Sequence, residues 1–224
     1  DMYSRDASLF EIRPQVVVFP KDSADVQALV KWVAEHKANS PTPLSITARA
    51  AGTCMSGGAV NDSIIMDTTR YMHGVLEVNK EEQWARVLPG TFYRDFDKET
   101  KTVGLIMPSY SASRDLCAVG GMVANNAGGE KSIHYGKTEN YIRELKVVFR
   151  DGYEYVVKPL TRKELMVKMS GVGFEAEIDL ELPGQFPSVI QIRRLEIKTQ
   201  TGILTRHARL GIIGICRCRT LGVR

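Results

Sequence analysis

The sequence lacks the features that mark membrane, fibrous and disulfide-rich proteins. Its longest apolar run near the end, residues 210–216, is far shorter than the ~18–20 residues that span a bilayer. No secretory signal precedes the first strand-like run, although the chain starts at Asp1 rather than at Met. Only 4 cysteines occur in 224 residues, without framework spacing, which argues against a secreted disulfide scaffold. The composition, 43% hydrophobic and 25% charged, is that of an ordinary globular protein.

The net charge lies entirely in the C-terminal part. Residues 1–175 contain 22 basic and 22 acidic residues, whereas residues 176–224 contain 8 and 4. A neutral main part argues against a nucleic-acid-binding face there. Within 176–224, Phe186 is the only aromatic residue. Cys216 and Cys218 form a Cys-x-Cys, but a metal site would need two more ligands and only His207 is close, so no metal site is predicted. We interpret 176–224 as a separate, poorly specified basic tail, solvated rather than bound to nucleic acid or lipid.

The first 70 residues read as a β-α-β unit followed by one more strand. Residues 16–19 form a β-branched and aromatic run, and a helix then begins at Asp22 or Ser23, with apolar residues at helical spacing. Strands are predicted over 44–48 and 63–67. Further strands over 75–78 and 84–88, a helix over 92–101, a hairpin over 144–157 and a capped helix over 161–169 complete the prediction.

A glycine-rich loop, residues 49–58, follows the second predicted strand. Its glycines permit positive φ and close backbone approach, and successive N–H groups in such a loop form an anion-binding nest. Arg49 adds charge, and Thr53 and Ser56 add hydroxyl donors, so a pyrophosphate is the natural guest. A purely structural turn explains the loop alone equally well. The loop is neither a P-loop nor a G-x-G-x-x-G fingerprint.

A second segment, residues 108–136, carries two Gly pairs around Asn125 and Asn126. Small residues let a flat ring lie against the backbone, and Asn side chains bond ring heteroatoms. A flexible polar loop is the weaker interpretation, because Val119, Met122 and Val123 would anchor the segment in a core.

Together these motifs resemble the FAD-binding domain of the PCMH, or vanillyl-alcohol oxidase, superfamily. The closest similarity is to the group of FAD-linked oxidases that contains D-lactate dehydrogenase and the flavoprotein component of glycolate oxidase. The resemblance covers about residues 3–160 and includes Y-S-R-D-A-S at 3–8, R-x-x-G-T-x-x-S-G-G at 49–58, V-L-P-G at 87–90 and G-G-M-V-A-N-N-A-G-G at 120–129.

The resemblance implies an α+β fold with two subdomains and FAD between them. The first, about 1–70, would hold a small parallel sheet with helices, and the second, about 71–160, a mostly antiparallel sheet. It assigns residues 1–175 to the FAD-binding domain and predicts a cap domain after residue 160. Residues 176–224 show no cap pattern, so we expect a fragment, or a sequence whose reading frame changed near residue 176.

The resemblance also assigns the cofactor contacts. The first loop would wrap the pyrophosphate, and the second segment would follow the ribityl chain and the isoalloxazine ring. Non-covalent FAD is expected, because Thr53 stands where covalent members often carry a His. Cys54 and Cys117 are interpreted as small buried fillers. The implied cofactor-binding residues are Arg49, Ala50, Ala51, Gly52, Thr53, Cys54, Met55, Ser56, Gly57, Gly58, Pro108, Ser109, Ala118, Gly120, Gly121, Asn125, Asn126, Gly128, Gly129, Tyr135, Gly136 and Ile142.

By resemblance, the function is an FAD-linked oxidoreductase that oxidises 2-hydroxy acids such as D-lactate or glycolate. Electrons would pass to a cytochrome, quinone or flavoprotein. The alternative is a non-catalytic FAD-binding fragment or module of a larger oxidoreductase assembly. The sequence assigns no catalytic residue, and His134 is interpreted as a structural or surface side chain. We expect a cytoplasmic protein, peripheral to a membrane at most through its electron acceptor.

Overall fold

The computed structural model describes residues 1–171, 216–219 and 221–222. In the first half of the chain, a three-stranded parallel sheet has the order β1-β3-β2. Its strands are β1 (Val16–Val18), β2 (Ile46–Arg49) and β3 (Ile64–Asp67), and helix α1 (Ser23–His36) connects the first two. The predicted β-α-β unit and the additional strand are confirmed.

Helix α1 begins where the sequence predicted. Asp22 is its N-cap, with the carboxylate accepting from the N–H groups of Ala24 at 2.8 Å and Asp25 at 3.0 Å. Val26 and Val33 are buried, because they lie on the face that packs on the parallel sheet. This cap satisfies two N–H groups that a helix start leaves without partners.

The second half is built on a five-stranded sheet whose adjacent strands are antiparallel, in the order β4-β5-β9-β7-β8. The strands are β4 (Val75–Asn79), β5 (Trp84–Val87), β7 (Ile142–Val148), β8 (Glu154–Val157) and β9 (Cys216–Arg219). A parallel sheet followed by an antiparallel sheet confirms the predicted α+β fold class. The predicted hairpin is β7–β8, and Gly152 turns it with a φ of 76°.

The helices of the second half match the prediction in part. Helix α2 (Tyr93–Thr102) starts one residue later than predicted, so that Tyr93, rather than Phe92, joins Phe96 and Thr100 on the buried face. Helix α5 (Arg162–Met169) carries the predicted capping box between Thr161 and Glu164. The remaining short helices were not predicted: α3 (Val119–Ala124), α4 (Ser132–Tyr135) and a 3₁₀ helix at Thr138–Tyr141.

Two strands come from the segment interpreted as a separate tail. Strand β9 lies between β5 and β7, with Trp84 opposite Arg219 and Leu145 opposite Cys216. Strand β10 (Leu221–Gly222) pairs with β6 (Leu105–Ile106). These two strands therefore take part in the fold, in contrast to the expectation of a tail apart from it. Residues 210–215 of the apolar run near the end of the sequence lie outside the described residues.

Each half has its own hydrophobic core. The larger core packs α2 and α3 on the antiparallel sheet, and Phe96 and Ala85 are fully buried in it. The smaller core holds Val26, Met66 and Met72 together with Val148 of β7, which joins the halves. In the part of the chain that the structure describes, no helix is long and apolar enough to cross a bilayer.

Candidate functional site

A small, open cleft lies between the two halves. Nine of the twelve lining residues are Ala or Gly, so the cleft wall is largely backbone. The lining residues are Ala48, Ala50, Ala51, Gly52, Thr53, Cys54, Gly58, Ala59, Ala118, Gly121, Ala124 and Asn125. The fold thus brings the two predicted motifs, about sixty residues apart in the chain, to one site.

The first loop leaves the carboxyl end of β2 and crosses to β3 without a helix. Gly52 and Gly57 have φ values of 68° and 77°, a region that side chains disfavour. Within the described residues, the N–H groups of Ala51, Gly52 and Thr53 bond no backbone acceptor. Successive N–H groups without backbone acceptors are the kind of group that can bind an anion, and the predicted role of this loop stays a prediction.

Arg49 is turned into the loop rather than towards the cleft. Its side chain is buried, and Nη1 donates to the carbonyl of Ala59 at 3.1 Å. The guanidinium also lies over the Tyr3 ring, 5.3 Å from the centroid. Arg49 is therefore positioned to fix the shape of the loop, and its predicted role as a direct pyrophosphate ligand stays a prediction.

The V-L-P-G motif forms the junction between the two halves. A Cβ on Gly90 would lie 2.1 Å from the carbonyl oxygen of Thr68, so only glycine permits this approach. The carbonyl of Pro89 accepts from the N–H of Gly120 at 2.8 Å. The motif therefore links the end of β3 to the start of α3. The sequence marked it as part of the resemblance without giving it this function.

Helix α3 brings the second motif to the cleft. Val119, Met122 and Val123 are buried, as predicted, and hold the helix on the larger core. Gly121 faces the first loop, where a Cβ would lie 3.9 Å from the Cβ of Ala50. Ala118 and Asn125, at the two ends of α3, complete this wall.

Three cleft residues were not predicted: Ala48, Ala59 and Ala124. Each lies next to a predicted residue or one position removed from it. Small size beside a glycine-rich motif was the available signal, but it does not tell which alanines face the cleft. Which alanines line the cleft depends on which side of the end of β2 and which side of α3 faces it.

Several predicted residues lie outside the cleft lining, in a network of their own. Ser109 is buried and donates to the carbonyl of Gly136 at 3.2 Å. A Cβ on Gly129 would lie 2.3 Å from the carbonyl oxygen of Tyr110. Asn126 has a φ of 45°, and its side chain accepts from the N–H of Glu139 at 3.0 Å. These contacts fold residues 108–136 on themselves.

The other predicted residues are dispersed around the site. The remaining members of the first loop are Met55 and Ser56, both exposed, beside Gly57. Pro108 is buried, Gly128 is exposed and Tyr135 is 37% exposed. Ile142 opens β7 and packs against the larger core. Their assignment as cofactor contacts stays a prediction.

Cys54 and Cys117 differ in environment. Cys117 is buried, as expected, and burial raises the pKa of its thiol. Cys54 is only half-buried and lines the cleft, unlike the filler that was expected. Burial alone would raise the pKa of Cys54, but hydrogen bonds with Ser56, Gly58 and Asn125 outweigh burial and lower it. The Asn125 contact joins the two walls of the cleft.

Among the described residues that line the cleft, Cys54 is the only one with a titratable side chain. His134 is exposed and lies edge-on to Tyr135, with ring centroids 4.5 Å apart. Arg114 pairs with Glu130 at 3.5 Å on the surface. In the same described part of the chain, no three His, Cys, Asp or Glu side chains are grouped so that they could hold a metal ion. The cleft can therefore bind through backbone and small polar groups, and its described lining offers no evident base.

Comparison with known proteins agrees with this geometry. The family model described as "FAD binding domain" matches residues 14–158. The chain is 32% identical over 157 residues to D-2-hydroxyglutarate dehydrogenase of Escherichia coli (strain K12), covering 70% of this chain and 15% of that protein. It is 27% identical over 153 residues to glycolate oxidase subunit GlcD of Bacillus subtilis (strain 168), covering 67% of this chain and 31% of that protein.

A D-lactate dehydrogenase of Archaeoglobus fulgidus is 32% identical over 139 residues, which are 61% of this chain and 29% of that protein. The chain thus spans less than a third of each of these relatives. Among solved structures, an alkyldihydroxyacetonephosphate synthase superposes with a TM-score of 0.61 and 18% identity, covering 92% of this chain and 31% of that one. At that identity the superposition supports the fold alone.

Proposed function

The chain belongs to the FAD binding domain family, and from this we propose that FAD binds non-covalently in the cleft between the two loops. One observation carries the proposal. The two motifs that the sequence singled out form opposite walls of a single cleft, and small residues leave its backbone open to a ligand.

The first loop would hold the pyrophosphate. The N–H groups of Ala51, Gly52 and Thr53 are without backbone acceptors within the described chain, and the Thr53 hydroxyl lies beside them. Backbone N–H groups bond phosphate oxygens without a side chain that would crowd the cleft. Arg49 supplies positive charge from beneath the loop, where it supports the Ala59 carbonyl.

The second wall would support the flavin end. Gly121 and Ala118 leave space for a flat ring, and Asn125 offers an amide as donor and acceptor. Non-covalent binding is proposed because Thr53 stands where covalent members of the family often carry a His. The contacts within residues 108–136 that lie outside the cleft wall would fix the conformation of the flavin end of the cleft rather than contact the flavin.

The larger protein to which this domain corresponds would oxidise a 2-hydroxy acid. The relatives named above are dehydrogenases or oxidases of D-2-hydroxyglutarate, D-lactate and glycolate. FAD supplies a two-electron acceptor for such a reaction. The substrate also needs a cation for its carboxylate and a base for its hydroxyl proton.

This chain alone would bind FAD but turn substrate over poorly. The described cleft lining contains no Arg, Lys or His, so neither a carboxylate clamp nor a base is at hand. This observation favours the second candidate, a non-catalytic FAD-binding module of a larger oxidoreductase. We propose a cytoplasmic location and a cytochrome, quinone or flavoprotein as electron acceptor for the larger protein.

An absorbance titration tests the proposal. The purified, flavin-free chain is titrated with FAD and, in parallel, with riboflavin, which lacks the pyrophosphate. We expect FAD to bind stoichiometrically and more tightly than riboflavin, and to be released into the supernatant by acid precipitation. A chain that binds no FAD refutes the proposal, and flavin retained in the acid precipitate refutes non-covalent binding.

The same holoprotein is then mixed anaerobically with D-2-hydroxyglutarate, D-lactate and glycolate. Bleaching of the flavin absorbance slower than about 0.01 per second, far below the usual ~10 per second of enzymes, supports the non-catalytic module. Bleaching at an enzyme-like rate assigns a complete substrate site to this chain.

A further inference from the structure

The segment before β1 lies against the outer side of the first loop. It comprises residues 3–12, which we call the strap, and it precedes the range 14–158 that the family model matches. The strap is closed on itself: the N–H of Ile12 donates to the carbonyl of Ser4 at 2.8 Å, and Arg5 pairs with Glu11. It is therefore a defined element and not a trailing end.

The strap contacts the first loop at both of its positive-φ glycines. The N–H of Ala7 donates to the carbonyl of Gly52 at 3.1 Å. A Cβ on Gly57 would lie 2.6 Å from Cδ2 of Phe10, so the Phe10 ring occupies the space that a side chain would need. Both positive-φ glycines of the loop are thus in contact with the strap.

The strap also contacts the two ends of the loop. The Tyr3 ring lies under the guanidinium of Arg49, and its hydroxyl donates to Asp67 at 2.8 Å. The Asp6 carboxylate accepts from the N–H of Ala59 at 3.4 Å and from that of Ser8 at 2.8 Å. Asp6 also experiences the positive charge of Arg49. The Asp6 carboxylate and the Arg49 guanidinium therefore both stabilise the loop, and they attract each other electrostatically.

We propose that the strap holds the first loop in its ligand-binding shape, with Asp6 and Phe10 as positioning residues for the pyrophosphate of FAD. A loop with three glycines in ten residues loses conformational freedom when it closes on a ligand, and that loss weakens binding. A loop that is already held at Gly52, Gly57 and Ala59 loses less conformational freedom when the ligand binds. The inference rests on the proposed function, since it assigns these residues to the same site.

Matched pairs of variants in the full chain test the proposal. Asp6→Asn removes the charge that faces the loop, and Asp62→Asn makes the same change at an exposed carboxylate of the same half. Phe10→Ala removes the ring from Gly57, and Leu9→Ala truncates its fully exposed neighbour. Phe10→Tyr keeps the ring and serves as the rescue.

Dissociation constants are measured for FAD and for ADP, which shares the pyrophosphate but lacks the flavin. We expect each of Asp6→Asn and Phe10→Ala to weaken the binding of FAD and of ADP by the same factor. For Asp6→Asn the factor should be about tenfold, because the amide keeps only one of the two oxygens that accept from Ser8 and Ala59. Asp62→Asn, Leu9→Ala and Phe10→Tyr should bind like the wild type. The melting temperature of ligand-free Phe10→Ala should stay within about 2 °C of wild type, because the ring is largely exposed.

The outcomes separate the two proposals. A wild-type chain that binds neither FAD nor ADP overturns the proposed function and the strap together. A wild-type chain that binds both, with Asp6→Asn and Phe10→Ala indistinguishable from their controls, overturns the strap alone. Loss of FAD affinity with unchanged ADP affinity also overturns it, because the effect would then lie at the flavin end.

Discussion

Substitution of Gly52 by alanine adds one heavy atom, the Cβ, to the first loop. The φ of 68° costs an L-residue about 1–2 kcal/mol. The new Cβ would lie 2.5 Å from Nη2 of Arg49, so the guanidinium has to move. Movement breaks the 3.1 Å bond from Nη1 to the Ala59 carbonyl, and such charged bonds contribute about 1.5–3 kcal/mol when buried.

The two effects together amount to roughly 2.5–5 kcal/mol. If the loop keeps its shape, this energy appears as lost stability. If the loop relaxes, it appears as weaker FAD binding, up to roughly a 60- to several-thousand-fold rise in the dissociation constant at about 1.4 kcal/mol per decade. The structure therefore predicts the sum of the loss in unfolding free energy and the loss in FAD binding free energy, rather than either loss alone.

Gly104→Ala is the matched control. Gly104 has a φ of 75°, but no atom lies within 4 Å of the Cβ position, so only the backbone strain remains. We expect this control to lose about 1–2 kcal/mol of stability and no FAD affinity. Denaturant unfolding and fluorescence titration with FAD give both quantities. If Gly52→Ala matches Gly104→Ala in stability and in affinity, the account of Arg49 as the brace of the loop is wrong.

Three further predictions concern the cleft and the sheet. Gly121→Ala places a methyl group 3.9 Å from the Cβ of Ala50, without a clash. It should weaken FAD binding by about tenfold, while the unfolding free energy stays within about 1 kcal/mol of that of the wild type. Unaltered affinity would exclude Gly121 from the site. Iodoacetamide at pH 8 should modify Cys54 before Cys117, because the pKa of the Cys54 thiol is lowered and that of the Cys117 thiol is raised. Saturating FAD should slow the modification of Cys54. Peptide mapping that finds Cys54 unprotected would place FAD elsewhere. Ending the chain at residue 215 removes β9 and β10, so β5 and β7 each lose one of their two neighbouring strands and the five-stranded sheet is split. The melting temperature should therefore fall by several degrees, whereas an unchanged value would support the separate tail expected from composition.

Short-range patterns were sufficient for most of the secondary structure. Helix α1 and its Asp22 cap, the β7–β8 hairpin and the capping box of α5 depend on residues a few positions apart, and all three occur as predicted. Helix α3 was missed, because two glycines lower its intrinsic propensity and its start is defined by N–H groups that donate to the distant carbonyls of Pro89 and Thr91.

The sequence alone was enough to single out two glycine-rich motifs, whose residue types suit a dinucleotide and whose spacing resembles one family; their role as the cofactor site stays a prediction. It did not determine how side chains within them are used. Arg49 is directed inward, because its partners are Tyr3 and the Ala59 carbonyl. Gly90 is required, because the Thr68 backbone lies against it.

Only the tertiary structure brought distant residues together. Tyr3 meets Asp67 across 64 positions, and β9 inserts between β5 and β7 from the far end of the chain. No local pattern encodes such contacts, because each depends on the register of strands and on the packing of two cores. The cleft is one of these contacts: its walls belong to separate halves, and it exists only because the Pro89–Gly90 junction and Val148 hold those halves side by side.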